Sequence, residues 1–135
     1  TPDGMAIGNR ACTVGIAMQI SNHNVYIREN LIAIQATHAT GGGRLGAAIF
    51  IEQYEGGQGV EISGNSLGLN ALGAPVLGGK HGIWVSRFAF EYDARILIGG
   101  ANPGEGNVIA GHASTGVLMM NGPGIPSVGR VRLSG

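Results

Sequence analysis

The chain has 135 residues, a length suited to one compact domain, and 26 of them are glycine, about a fifth against a usual ~7%, which speaks against long helices. Eight basic and eight acidic side chains cancel to a formal charge of zero, and 12% of residues are charged while 44% are hydrophobic. This balance excludes a disordered, highly charged tail and removes the electrostatic warrant for nucleic acid or an acidic membrane surface as partner. The single Cys12 forms no internal disulfide, and no apolar run approaches the ~18 residues of a membrane span.

Four short apolar stretches, each opened by a glycine, recur along the chain. They are Gly15-Ile16-Ala17-Met18-Gln19-Ile20, Gly46-Ala47-Ala48-Ile49-Phe50-Ile51, Gly82-Ile83-Trp84-Val85 and Gly116-Val117-Leu118-Met119-Met120, with opening glycines 31, 36 and 34 residues apart. A second family of strands follows each: Val25-Tyr26-Ile27, Val60-Glu61-Ile62, Ile96-Leu97-Ile98 and Val131-Arg132-Leu133, spaced by 35, 36 and 35 residues. Three of these lead into an Asn and a third apolar pair: Asn30-Leu31-Ile32, Asn65-Ser66-Leu67 and, after an insertion, Asn107-Val108-Ile109.

Period-2 alternation sets Val25 and Ile27 on one side and Tyr26 on the other, and likewise Val60 and Ile62 around Glu61. The row Tyr26, Glu61, Leu97, Arg132 varies freely, as a solvent-facing row does. Turn signals bound every run and no helical pattern intervenes. Each strand therefore pairs in parallel with its counterpart one repeat away, which predicts an all-β solenoid of about four coils of 31 to 36 residues filling a single domain, 1–135.

Two stretches carry a family resemblance: Val60-Glu61-Ile62-Ser63-Gly64-Asn65-Ser66-Leu67-Gly68-Leu69-Asn70, and Ile98-Gly99-Gly100-Ala101-Asn102-Pro103-Gly104-Glu105-Gly106-Asn107-Val108-Ile109-Ala110-Gly111-His112. Together they resemble the degenerate repeat of right-handed parallel β-helix proteins, the pectate-lyase-like superfamily. The resemblance spans nearly the whole chain and implies a right-handed parallel β-helix with an extracellular or cell-surface life. It does not select a function, because the same coil serves polysaccharide lyases, glycoside hydrolases, epimerases, phage tailspikes and surface proteins.

No capping segment is evident at either end of the sequence. The closing Gly129-Arg130-Val131-Arg132-Leu133-Ser134-Gly135 matches Ala94-Arg95-Ile96-Leu97-Ile98-Gly99-Gly100, and its continuation would be met by Thr1-Pro2-Asp3-Gly4 and Met5-Ala6-Ile7-Gly8-Asn9. Three explanations stand together: a trimmed fragment, one unit of a longer array, or subunits that stack head to tail and complete each other's coils. Under the last, Val131, Leu133 and Ile7 are the assembly ends, and the partners are like subunits or adjacent repeats. The absence of an initial Met and of a basic-then-apolar leader fits a removed targeting segment or a chain cut from something longer.

For chemistry, alternation places Glu91, Asp93 and Arg95 on one face, and Glu52 and Glu55 lie at a comparable point one coil earlier. Such carboxylates suit a glycosidase pair or a calcium ion, against which stands a solvated rim of charges. His23, His38, His81, His112 and Cys12 form no pair at zinc-ligand spacing and read as turn and surface residues, so no metal and no cofactor is expected. Gly78-Gly79-Lys80-His81 lacks both the first Gly and the Ser or Thr of a phosphate loop. With Ile16, Ala47, Ile83 and Val117 inward, the outward rows read Ala17, Ala48, Trp84, Leu118 and Gln19, Phe50, Ser86, Met120. Trp84, Phe50, Leu118 and Met120 then form an apolar stripe fit for an interface or a sugar ring, unless loops such as 71–81 cover it or a bulge changes the facing. Asn30, Asn65 and Asn107 fall at matching turns and are expected to stack as a side-chain ladder.

These readings give a structural or adhesive solenoid module of a secreted or surface rod, without nucleic acid or membrane span. The alternatives are a piece of a polysaccharide-active enzyme, or a carbohydrate-binding surface without catalysis.

Overall fold

The computed structural model describes residues 14–20, 24–34, 46–53, 59–76, 79–87, 95–121 and 130–133. Ile7, Cys12, His23, His38, Glu55, Glu91 and Asp93 lie outside the described residues. Among those described, every regular element is a strand, and no helix is long and apolar enough to cross a membrane. The strands are β1 (Val14–Ile20), β2 (Asn24–Arg28), β3 (Leu31–Ile32), β4 (Ala47–Gln53), β5 (Gly59–Ser63), β6 (Ser66–Leu67), β7 (His81–Arg87), β8 (Arg95–Ile98), β9 (Val108–Ile109), β10 (Thr115–Asn121) and β11 (Arg130–Leu133).

Each repeat deals its strands to different sheets. The first sheet runs β1-β4-β7-β10, the second β2-β5-β8-β11 and the third β3-β6-β9, and every ladder is parallel. Such an arrangement is compatible with a β-solenoid, in which every strand bonds to the repeats before and after its own.

The three sheets share one apolar core. Ile49, Ile51 and Ile83 from the first sheet meet Ile62 and Ile96 from the second and Leu67 from the third, all buried. Burying one such side chain completely contributes about 1.5–3 kcal/mol relative to leaving it in water. Ile16, Met18, Val25, Ile32, Ile109 and Val117 occupy the same rows in the outer repeats and are only partly buried, because a neighbouring layer covers them on one side alone.

The first sheet departs from the sequence expectation in its register. Val14 stands opposite Ala47 and Ile16 opposite Ile49, so Ala48, not Gly46, is the counterpart of Gly15. The inward row is therefore Ile16, Ile49, Ile83, Val117, and the outward rows are Ala17, Phe50, Trp84, Leu118 and Gln19, Glu52, Ser86, Met120. Glycine is not a constant marker of this row: Gly15 and Gly82 stand where a Cβ would clash, while Ala48 fills the same row in the second repeat. A Cβ at Gly15 would sit 2.5 Å from Ile32 Cγ2, and one at Gly82 would sit 2.6 Å from the Gly116 carbonyl oxygen and closer still to Ile109. Ala48 and Ile49 both belong to the core, so the pleat skips a beat there, as in a bulge. His81 and Trp84 consequently share the outer face although regular alternation would separate them.

The turns between the second and third sheets are tied by asparagine. Asn30 donates from its backbone N–H and its Nδ2 to Asn65 Oδ1, both at 3.0 Å, and Asn65 donates in the same way to Asn107 Oδ1 at 3.0 and 2.9 Å. Asn65 Nδ2 also reaches the Ile27 carbonyl, and Asn107 Nδ2 the Ile62 carbonyl. Just before the ladder the chain needs a left-handed residue. Gly64 supplies it with φ 65°, whereas the preceding repeat uses Glu29 with φ 57°.

Candidate functional site

The outer face of the first sheet gathers most of the described site candidates. Trp84 lies between Phe50 (centroids 5.2 Å apart, rings at 79°) and His81 (5.4 Å, 64°), each an edge-to-face contact favoured by aromatic quadrupoles. Phe50 is only 2% exposed, so it is part of a covered cluster, while Met120 at the edge of the sheet is 49% exposed and Leu118 is half-buried. Of the stripe expected over Trp84, Phe50, Leu118 and Met120, Phe50 moves into the row of Trp84 and Leu118, and Met120 stays in the neighbouring row beside Ser86. Glu52 takes the place next to Gln19 and Ser86, is 2% exposed and accepts a 2.9 Å hydrogen bond from Gln19 Nε2. Its expected companions Glu55, Glu91 and Asp93 are outside the described residues, and Val131 and Leu133 are described by their backbone pairing with Ile96 and Ile98 alone.

Two histidines that the sequence suggested were turn or surface residues lie at the corner joining the third and first sheets, His81 buried and His112 half-buried with its ring nitrogens enclosed. His81 is 5% exposed, with Nδ1 2.5 Å from Thr115 Oγ1. His112 is enclosed by glycines: a Cβ on Gly68 would stand 3.0 Å from its Nε2, and one on Gly79 would stand 3.1 Å from its Nδ1. Both ring nitrogens of His112, and Trp84 Nε1, are buried without a hydrogen-bond partner. Burial is the main force holding both imidazoles below the ordinary histidine value. Lys80 adds to it at His81; at His112 the Leu67 backbone pulls the other way and His81 adds to the lowering.

A polar groove of about 320 Å³ opens beside the asparagine ladder, lined in part by Arg28, Glu29, Glu61, Ser63 and Glu105. Arg28, Glu61 and Glu105 have partners within the chain. Arg28 makes two hydrogen bonds to Glu61, of 3.0 and 2.8 Å, and its guanidinium lies 4.6 Å from the Tyr26 ring centroid. Arg28 and then Ser63 hold the Glu61 carboxyl below its usual range, and Asn102 does the same for Glu105. Among the described residues no group of three or more His, Cys, Asp or Glu side chains is placed to hold a metal ion. Glu29, Glu61 and Glu105 line this groove together, with Arg28 among them, while Glu52 sits apart on the first sheet.

Comparison with protein-family models, with curated proteins and with solved structures finds no match.

Proposed function

We propose that the chain is a structural or adhesive module, a right-handed parallel β-helix of about four coils, in a rod or filament outside the cell or on its surface. The observation that supports this reading is the state of the sheet edges. Among the described residues β1, β2 and β3 have no strand on one side, and β10, β11 and β9 have none on the other. At one such edge the core row ends in Met119, 47% exposed. Unpaired parallel edges over half-covered apolar rows are the surfaces on which a further layer adds. In a stack of copies β10 meets the next β1 and β11 the next β2, a heterologous contact that does not close on itself and so builds a rod.

Light scattering and negative-stain imaging of the full chain over a concentration series test the proposal. Rods that lengthen with concentration are expected, and the double substitution Val131→Asp with Leu133→Asp should shorten or abolish them. A particle that stays monomeric at every concentration would refute self-stacking. Rods unaffected by the double substitution would refute this edge as the contact.

A further inference from the structure

Between β6 and β7 the chain leaves the stack. Residues 71–75 are exposed, and the segment folds on itself: Leu69 pairs with Pro75 in an antiparallel bridge, Asn70 N–H donates to the Ala74 carbonyl at 2.9 Å, and Asn70 Oδ1 accepts the N–H groups of Leu72 and Ala74. The result is a small arm, 69–76, whose base closes where the Val76 N–H meets the Gly68 carbonyl at 2.8 Å. Glycines in the left-handed region flank it, Gly68 with φ 77° and Gly79 with φ 81°. The His112 ring lies between these same two glycines, and Gly111 before it packs against the Val76 and Gly68 carbonyls. We propose that His112 is a pH-operated latch on this arm: the neutral ring closes the base, and protonation releases it.

A neutral imidazole has one N–H and one lone pair, and both ring nitrogens of His112 are enclosed without a hydrogen-bond partner. Protonation makes both nitrogens donors and adds a charge where no acceptor is free. The groups around the ring do not relieve it. At the end of β6, the Leu67 carbonyl is the backbone group that favours the charged ring, but it already accepts the Ala110 N–H at 2.9 Å, and the Gly68 carbonyl holds Val76. At the start of β7 stand Lys80, already positive, and His81, which becomes so in acid, while the Gly79 carbonyl takes the Ala113 N–H at 3.0 Å. Ile34 beside Gly79 and Ile109 beside Gly82 are apolar, and none of the described residues enclosing the ring is a carboxylate. The charged ring must therefore reach water, and the arm is the cover that can yield. It is hinged on glycines, and when Val76 lets go, Gly68 N–H and Ala110 N–H keep their bonds to the Ile32 and Leu67 carbonyls, so the third sheet stays whole. Because both nitrogens are already enclosed, a further layer on the stack does not reach them, and the latch does not depend on stacking.

Hydrogen exchange of the full chain at pH 7.5 and 5.5, read by mass spectrometry with fragmentation and expressed as protection relative to an unstructured chain, tests the latch. A released ring titrates at the ordinary 6.5, so opening is favoured about tenfold at pH 5.5 over pH 7.5. The Val76 amide should lose about tenfold in protection over this interval, and at both pH values it should be less protected than the Ser66 and Ala110 amides of the third sheet. His112→Gln should abolish the loss at Val76, and His81→Gln should leave it in place. A second measurement needs no change at the histidine: Val76→Pro removes the N–H that closes the base, and exchange of the His112 C2 hydrogen should then report titration near 6.5 instead of the depressed wild-type value. Val76 protection that is independent of pH or equal to that of Ser66, a loss that survives His112→Gln or disappears in His81→Gln, or a His112 titration unmoved by Val76→Pro would each overturn the proposal. Neither readout requires a monomer, so this proposal and self-stacking fail separately.

Discussion

Replacing Asn65 by alanine tests how much of the fold hangs on the ladder. Asn65 is fully buried and stands in the middle of three rungs. Its removal leaves the Ile27 carbonyl without its 2.9 Å donor and the Asn30 N–H without its 3.0 Å acceptor, while the Ser63 carbonyl keeps the Glu29 N–H and Asn107 Oδ1 keeps the Asn65 N–H. Two stranded backbone groups at about 1–3 kcal/mol each, plus a small cavity, give a loss of roughly 3–5 kcal/mol, a large part of the 5–15 kcal/mol that holds a typical domain together. Asn30→Ala should cost about 1 kcal/mol or less, since Asn65 Oδ1 retains the Asn30 backbone donor. Asn65→Asp should be at least as damaging as alanine, because a carboxylate oxygen then faces the Ile27 and Ser63 carbonyls and Asn107 Oδ1. Urea unfolding followed by circular dichroism and Trp84 fluorescence measures all three. A loss under 1 kcal/mol for Asn65→Ala, or equal losses for Asn65→Ala and Asn30→Ala, would show that the ladder is not what ties these turns.

Acid should destabilise the chain through His81 and His112. Their folded values are depressed below the ordinary 6.5, so the unfolded chain binds more protons, and stability is complete above pH 6.5 and declines as pH falls below it. The melting temperature should fall between pH 7 and 5.5, above the range where Glu61 and Glu105 titrate, and His112→Leu should flatten that fall; an unchanged slope in the variant would exclude His112 as a source. Glu29→Gly relieves a left-handed non-glycine residue and should raise stability by up to about 1 kcal/mol in the same urea assay, with a loss contradicting the strain argument. Gly82→Ala places a methyl against the Gly116 carbonyl and Ile109 and should cost about 1–3 kcal/mol, and a neutral result would show that the bend adjusts freely.

The second sheet was legible because its signal is doubly constrained. Val25, Val60 and Ile96 are β-branched at inward positions of strands with fixed alternation, and with Val131 they pair in the register that their spacing predicts. The asparagine turns were legible too, since the six residues inserted before Asn107 leave the ladder intact and form a turn of their own, with Glu105 N–H on the Asn102 carbonyl. The first sheet was misread at one repeat because glycine was used as the marker. In the second repeat the row is filled by Ala48 instead, and Gly46 with φ 88° belongs to the approach to the strand. A shift of two keeps the inward parity, so hydrophobic alternation could not expose the error; it merely moved Phe50 beside Trp84 and Glu52 beside Gln19. The enclosure of the His112 ring nitrogens was not legible at all. It is made by Gly68, Gly79 and Gly82, which come from an earlier part of the chain and present no pattern of their own around it.

Inward rows and ladder positions are set by the layers above and below, so a change in any of them disturbs two neighbours at once. Outward rows answer to no such demand, and one of them runs Ala17, Phe50, Trp84, Leu118, another Tyr26, Glu61, Leu97. What distinguishes this chain from any other stack of the same geometry must therefore reside on its outer faces and at its edges. The outer face of β4 is covered, and in the groove beside Arg28 the Arg28 and Glu61 charges answer each other. Among the described edges, the core row of the first sheet ends in Met119, 47% exposed, and the stacking proposed above covers it with the next layer.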